Sequence, residues 1–276
     1  MRFLKRIGWA LLILLAVAGM TVAVSSIAER GAGETLFAVA GLRVTTAGAG
    51  GAVALLVILF FAALRVRDCR KRGKPVGLGE WMNGIGFGML PGTAVWKIFE
   101  QATTLSRGKS LFEPLPALPF VTEGGCFQPS RIEMILAGAG FAVLLACMIA
   151  RRKDYPGNGE LLLRVLSVWA VVCALTENFR AEPLFRAGNV NLTQIIFLLM
   201  ADICLAVRGA RKIRAGKSTA FAVPEYIVAL CCEVAMVLMT AGVLDVGSGI
   251  GNFAVSAGCA VLCIVFTVTA GRETEE

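Results

Sequence analysis

Two groups of ionisable residues interrupt stretches that are otherwise apolar. The first is Lys97, Glu100, Arg131, Glu133, Glu177 and Arg180; the second is Asp202 and Glu233, with Glu225 on the same segment. A charge at mid-membrane costs about 2.5–3.5 kcal/mol on insertion scales, so a charge kept there marks a candidate site. Carboxylates beside cations can move a proton, and lysine and arginine can neutralise a phosphate. Glu177 and Arg180 stand three apart, neighbours on one face of a helix that continues through them. The plainer alternative is an ordinary interfacial ion pair. Asp202 and Glu233 would suit a proton or ion path; a hydrogen-bonded or protonated Glu233 is the structural alternative.

The chain has no histidine. Imidazole bases, His-based triads and His metal ligands are therefore excluded. Its nine cysteines form no C-x-x-C pair, and seven of them (Cys147, Cys173, Cys204, Cys231, Cys232, Cys259 and Cys263) lie within apolar runs. They read as small apolar side chains, and no motif calls for a metal or cofactor. Gly84-Ile85-Gly86-Phe87-Gly88 lacks the spacing and the preceding strand of a nucleotide fingerprint.

The elements that must carry these residues are membrane helices. Apolar residues make up 57% of the 276 and charged residues only 17%, where a soluble domain carries about a quarter charged. Several apolar runs reach the roughly 20 residues that cross a bilayer. The expected architecture is an all-α, polytopic transmembrane bundle. Its spans are read at Ile7–Ala28, Thr45–Leu64, Leu78–Phe99, Ile132–Ala150, Leu161–Leu175, Val190–Val207, Ala220–Leu244 and Asn252–Ala270, about eight in all. The third, glycine-rich and interrupted by Pro91, is the weakest, and the fifth is short. Lys and Arg gather in alternate connections: Arg2 to Arg6, Arg65 to Lys74, Arg151 to Lys153, Arg208 to Lys217, and Arg272. That bias puts both termini in the cytoplasm and explains the net charge of +8 through lipid headgroups rather than nucleic acid.

Several segments resemble prolipoprotein diacylglyceryl transferases. Gln128-Pro129-Ser130-Arg131-Ile132-Glu133-Met134 resembles that family's His-Pro-Ser-Gln-Leu-Tyr-Glu, and Pro156-Gly157-Asn158-Gly159-Glu160-Leu161 its Pro-Gly-Glu-Leu loop. Glu177-Asn178-Phe179-Arg180-Ala181-Glu182-Pro183 is similar to Glu-Phe-Phe-Arg-Glu-Pro, and Leu192-Thr193-Gln194-Ile195 to Met-Gly-Gln-Leu. Upstream, Gly41-Leu42-Arg43-Val44-Thr45 resembles Gly-Leu-Ser-Phe-His, and Gly92-Thr93-Ala94-Val95-Trp96-Lys97-Ile98 resembles Gly-Gln-Ala-Ile-Gly-Arg-Ile. The match runs from about Leu36 to Lys212 in matching order.

The resemblance implies a bundle in a bacterial cytoplasmic membrane that binds phosphatidylglycerol at its outer face. The family transfers the lipid's diacylglyceryl group to a cysteine of a prelipoprotein, so prelipoprotein signal peptides are the implied partners. Candidate catalytic residues are Lys97, Glu133, Glu177 and Arg180; Lys97, Arg131, Arg180 and Gln194 would hold the headgroup. Yet Thr45 and Gln128 stand where the family has histidines, Lys97 and Cys173 where it has arginines, Glu133 at its tyrosine and Glu100 at an asparagine. Only Glu177 and Arg180 match as they stand. The expectation is a divergent member that keeps a phospholipid pocket and has lost the standard chemistry; an active transferase with a rearranged site is one alternative, and a small transporter using Asp202 and Glu233 another. Residues 1–34 are read as a signal-anchor span, 35–219 as the transferase-like bundle and 220–276 as a two-span extension.

Overall fold

In a computed structural model, residues 34–39, 42–109, 126–151, 158–181, 185–214 and 222–269 are described, with 15, 17 and 18. The strands β1 (Thr35–Val39) and β2 (Leu42–Thr45) pair antiparallel and lead into α1 (Thr46–Lys71). Thr45 caps that helix, its Oγ1 accepting from the Gly48 amide at 3.3 Å. Then come α2 (Leu78–Glu100), a single 3-10 turn at Thr104–Ser106, α3 (Pro129–Arg151) and α4 (Glu160–Asn178). A two-residue hairpin, β3 (Arg186–Ala187) with β4 (Val190–Asn191), precedes α5 (Leu192–Arg214); α6 (Ala222–Thr240) and α7 (Gly249–Thr269) complete the order.

The chain is mostly helical, as expected, with two small hairpins that the all-α reading leaves out. Both lie beside helix starts, where a short antiparallel pair satisfies backbone groups that no helix covers. Among the described residues, four helices are long and apolar enough to cross a membrane: α1, Pro129–Cys147 of α3, Leu192–Arg211 of α5, and Gly249–Val268 of α7. Tyr226–Thr240 of α6 is apolar but shorter. The expected first span, Ile7–Ala28, lies almost entirely outside the described residues.

The chain has a membrane protein's inverted pattern. Large apolar side chains such as Phe60, Val143, Ile203, Val234 and Val261 face outward, a continuous exposure that a water-soluble monomer does not tolerate. Small residues line the inside. On α2, a Cβ at Gly88 would sit 2.6 Å from the Ile58 carbonyl oxygen of α1, and one at Gly86 would sit 2.6 Å from Leu162 Cα of α4. Glycine there lets three helix backbones meet. The segment that looked weakest as a span is thus the most closely packed, and its helix runs unbroken through Pro91.

α4 is the axis of the bundle, with no exposed residue from Leu161 to Asn178. One face packs Val165, Trp169 and Val172 against Phe87 and Leu90 of α2 and Ala137 of α3. The other packs Ala170, Val171 and Ala174 against Leu198 and Ala201 of α5, Ala229 and Met236 of α6, and Ala260 and Cys263 of α7. The C-terminal hairpin therefore shares a core with α4 and α5. A helix packed against its neighbours on two faces positions whatever its ends carry, and here both ends are charged.

Candidate functional site

Glu177, on the last turn of α4, and Arg180, two residues past its end, reach three other helical segments. Arg180 Nε donates to Glu177 Oε2 at 2.7 Å, and its Nη1 to Glu100 Oε1 at 2.8 Å. Its Nη2 lies 3.7 Å from Glu133 Oε1. Nη1 also donates to the Leu105 carbonyl beside the 3-10 turn. Lys97, one turn before Glu100 on α2, pairs through Nζ with both Glu100 and Glu133. All five residues are at most 5% exposed.

Hydroxyls complete the network. Ser130 Oγ donates to Glu100 Oε1 at 2.9 Å, and Thr176 Oγ1 donates to Glu133. Glu100 lies between the two cations and accepts from both. Burial works against the Arg180 charge, but Glu100, Glu177 and Glu133 outweigh it and hold the guanidinium firmly protonated.

Backbone pairing closes this end of the bundle. Arg180 bridges to Gly108, Lys109 N donates to the Phe179 carbonyl at 2.8 Å, and Phe127 N to the Lys109 carbonyl at 3.0 Å. Phe127 and Phe179 meet edge-on and both pack tilted against Phe253 of α7, with centroids 5.2–5.6 Å apart, and Asn178 Nδ2 donates to Ser256 Oγ at 3.1 Å. Lys109 Nζ donates to the Asn178 carbonyl at 2.9 Å; partial burial, and then the nearby Arg186 charge, lower its pKa from the ordinary lysine value.

Four of the residues singled out from sequence, Lys97, Glu133, Glu177 and Arg180, thus converge, and Glu100 joins them. Arg131 does not. It is exposed on the first turn of α3, because residues two apart on a helix point to nearly opposite sides and Glu133 takes the inner one. Gln194 is fully buried, but its Nε2 donates to the Ala174 carbonyl at 3.2 Å, tying α5 to α4 rather than facing a headgroup. Its Oε1 and Glu177 Oε1 are buried without a donor. Thr45 and Gln128 serve as helix caps: the Thr45 hydroxyl accepts from the Gly48 amide, and the Gln128 carbonyl accepts from Arg131 and Ile132. Ser130 and Thr176 are network members that their types alone did not mark, since single hydroxyls are common in such helices.

The arrangement has a definite charge balance. Three carboxylates face two cations, so the network carries one net negative charge unless it holds a proton. Neither Lys97 nor Arg180 is free for an added anion. Among the described residues no cluster of three or more metal-ligating side chains forms. Away from this end, Glu233 is buried on α6 and hydrogen-bonds the half-buried Asp202 of α5. Tyr226 donates to the Asp202 carbonyl at 3.3 Å. Comparison with protein-family models, with characterised proteins and with solved structures finds no match to this chain.

Proposed function

We propose that this chain is a polytopic protein of a bacterial cytoplasmic membrane, arranged like the prolipoprotein diacylglyceryl transferases but not performing their transfer. The observation that carries the reading is the occupancy of its cations. Segments that the resemblance sets side by side meet at one end of the bundle, yet Lys97 and Arg180 are each held by carboxylates there. Forming a thioether on a cysteine requires stabilising a departing phosphate and removing a thiol proton. Phosphate approaching this network meets three carboxylates, and both of the network's cations are already paired. Lysine, moreover, offers only a point charge where arginine would grip two oxygens. No imidazole stands by as base, and threonine cannot act as one near neutral pH.

Phosphatidylglycerol remains the expected lipid at this face. Its phosphate docks only by displacing a carboxylate, which protonation of one glutamate would allow. Prelipoprotein signal peptides are then contacts without turnover. The Asp202–Glu233 pair supports a second reading, a small transporter, because it sets two carboxyl groups on neighbouring helices within an apolar bundle.

The test is depletion of a bacterium's own transferase with this chain expressed in its place, reading lipoprotein mass. General-base help is worth about 10²–10⁴-fold in rate, so its loss should leave no detectable added diacylglyceryl group and no rescue of growth. Full modification would overturn the proposal in favour of the rearranged active site. Insertion is checked in the same cells by single cysteines in a background lacking Cys126. Arg186→Cys should label with an impermeant maleimide and Arg70→Cys should not; labelling at Arg70→Cys in intact cells contradicts the cytoplasmic termini.

A further inference from the structure

The opposite end of α4 carries a second charged cluster, in which the arginines Arg164, Arg208 and Arg211 gather around Glu160. Glu160 opens that helix, and three guanidinium groups approach its carboxylate. Arg164, one turn on, places Nε 3.0 Å from Oε1, and Arg208 of α5 places Nε 2.7 Å from the same oxygen. Arg211 lies 4.0 Å from Oε2 and donates to the Asn158 carbonyl at 2.9 Å. Arg208 is 4% exposed and donates through Nη1 to the Thr267 carbonyl of α7 at 2.6 Å. Its Nη2 is shut away from solvent and has no acceptor.

A buried donor without a partner is costly, and a guanidinium fork is shaped for two oxygens of one anion. Glu160 is shared by Arg164 and Arg208 through one oxygen, and it leaves the Arg208 Nη2 unmatched. The helix start itself offers little, since Asn158 Oδ1 already accepts from Glu160 N at 3.0 Å and Asn83 Oδ1 from Leu161 N at 3.0 Å. The unmet donor therefore belongs to the arginines.

We propose that Arg208 and Arg211 form a binding site for a phosphate-bearing anion at this end of the bundle, with Glu160 as the built-in competitor that holds the guanidiniums in place when the anion is absent. Arg211, the more exposed of the two, meets the anion first. Arg208 then turns its free Nη2 to it. The phosphate can come from an anionic phospholipid or from solution. Val207 and Ile213 expose apolar side chains on the same stretch of α5, so acyl chains and headgroup could lie along one helix, as in basic inter-helix sites for anionic lipids.

The full chain, purified in neutral detergent, is titrated with phosphatidylglycerol and with phosphatidylcholine and read by native mass spectrometry. Phosphatidylglycerol should be retained selectively, with Arg211→Gln weakening it about five-fold. Glu160→Gln, which removes the competing charge but keeps an acceptor, should strengthen it. Arg70→Gln removes an exposed charge elsewhere and should change nothing. Displacement of the lipid by inorganic phosphate would assign the site to phosphate itself; no displacement, with sensitivity to Arg211→Gln intact, would assign it to the lipid. Equal weakening by Arg211→Gln and Arg70→Gln, or weakening by a folded Glu160→Gln, overturns the proposal. If Glu160→Gln does not fold, the Arg211 and Arg70 pair still decides.

Discussion

Arg180→Ala should lower the unfolding free energy by about 3–5 kcal/mol, the cost of breaking a buried ion pair by removing one partner. The substitution leaves Glu100 Oε1, Glu177 Oε2 and the Leu105 carbonyl without their principal donor. It also leaves Lys97 alone against three carboxylates, in a place where water cannot screen them. Arg180→Lys keeps the charge, but one ammonium cannot span Glu100 and Glu177 together with Leu105 as the planar fork does, so most of the loss should remain. Arg131→Ala is the matched control. It removes an exposed arginine nearby, where effects stay within about 0.5 kcal/mol. Denaturant unfolding in one detergent, followed by tryptophan fluorescence, measures all three. A loss for Arg180→Ala no larger than the control's would mean that the network contributes nothing to the fold.

The parts of this site legible in the sequence were those that break a pattern. Lys97, Glu133, Glu177 and Arg180 are conspicuous because charge in an apolar run needs a reason, and the three-residue step from Glu177 to Arg180 states its own geometry. Apolar runs also place helices well, since a spanning run is long and continuous; the described helices start within three residues of the expected spans, while α1 and α5 run seven residues past the expected ends. Arg131 went astray for a reason equally physical. Sequence proximity to Glu133 is not spatial proximity, and two residues along a helix is the spacing that separates side chains most. Gln194 illustrates a different limit: a buried amide that ties two helices reads the same, in one dimension, as an amide that binds a ligand. The central position of Glu100 was also hidden. It follows from how α2 meets both α3 and the segment after α4, a tertiary fact with no local signature. The charge balance of the network, which decides its chemistry, depends on that placement.

The last expected result tests the balance directly. Lys97→Met takes the network from one net negative charge to two and strips Glu133 Oε2 of its ion-pair partner, so a loss of about 3–5 kcal/mol is expected. Glu133→Gln acts in the other sense. It brings the network to neutrality, while the amide oxygen can still accept from Lys97 and the amide NH2 can donate to the Thr176 hydroxyl, and its cost should stay below about 1 kcal/mol. In the double variant one cation and two carboxylates remain, which restores the original balance of one negative charge. Contacting residues in one network couple by about 0.5–3 kcal/mol, so Lys97→Met combined with Glu133→Gln should be more stable than Lys97→Met alone by an amount in that range. The same Glu133→Gln protein should retain phosphatidylglycerol better than the unaltered chain, because Lys97 loses one of its two competing carboxylates. If the two substitutions instead add to within about 0.5 kcal/mol, the charges act independently. A site of independent charges would have no fixed balance with which to refuse an anion, and the account of why transfer chemistry is absent would fall with it.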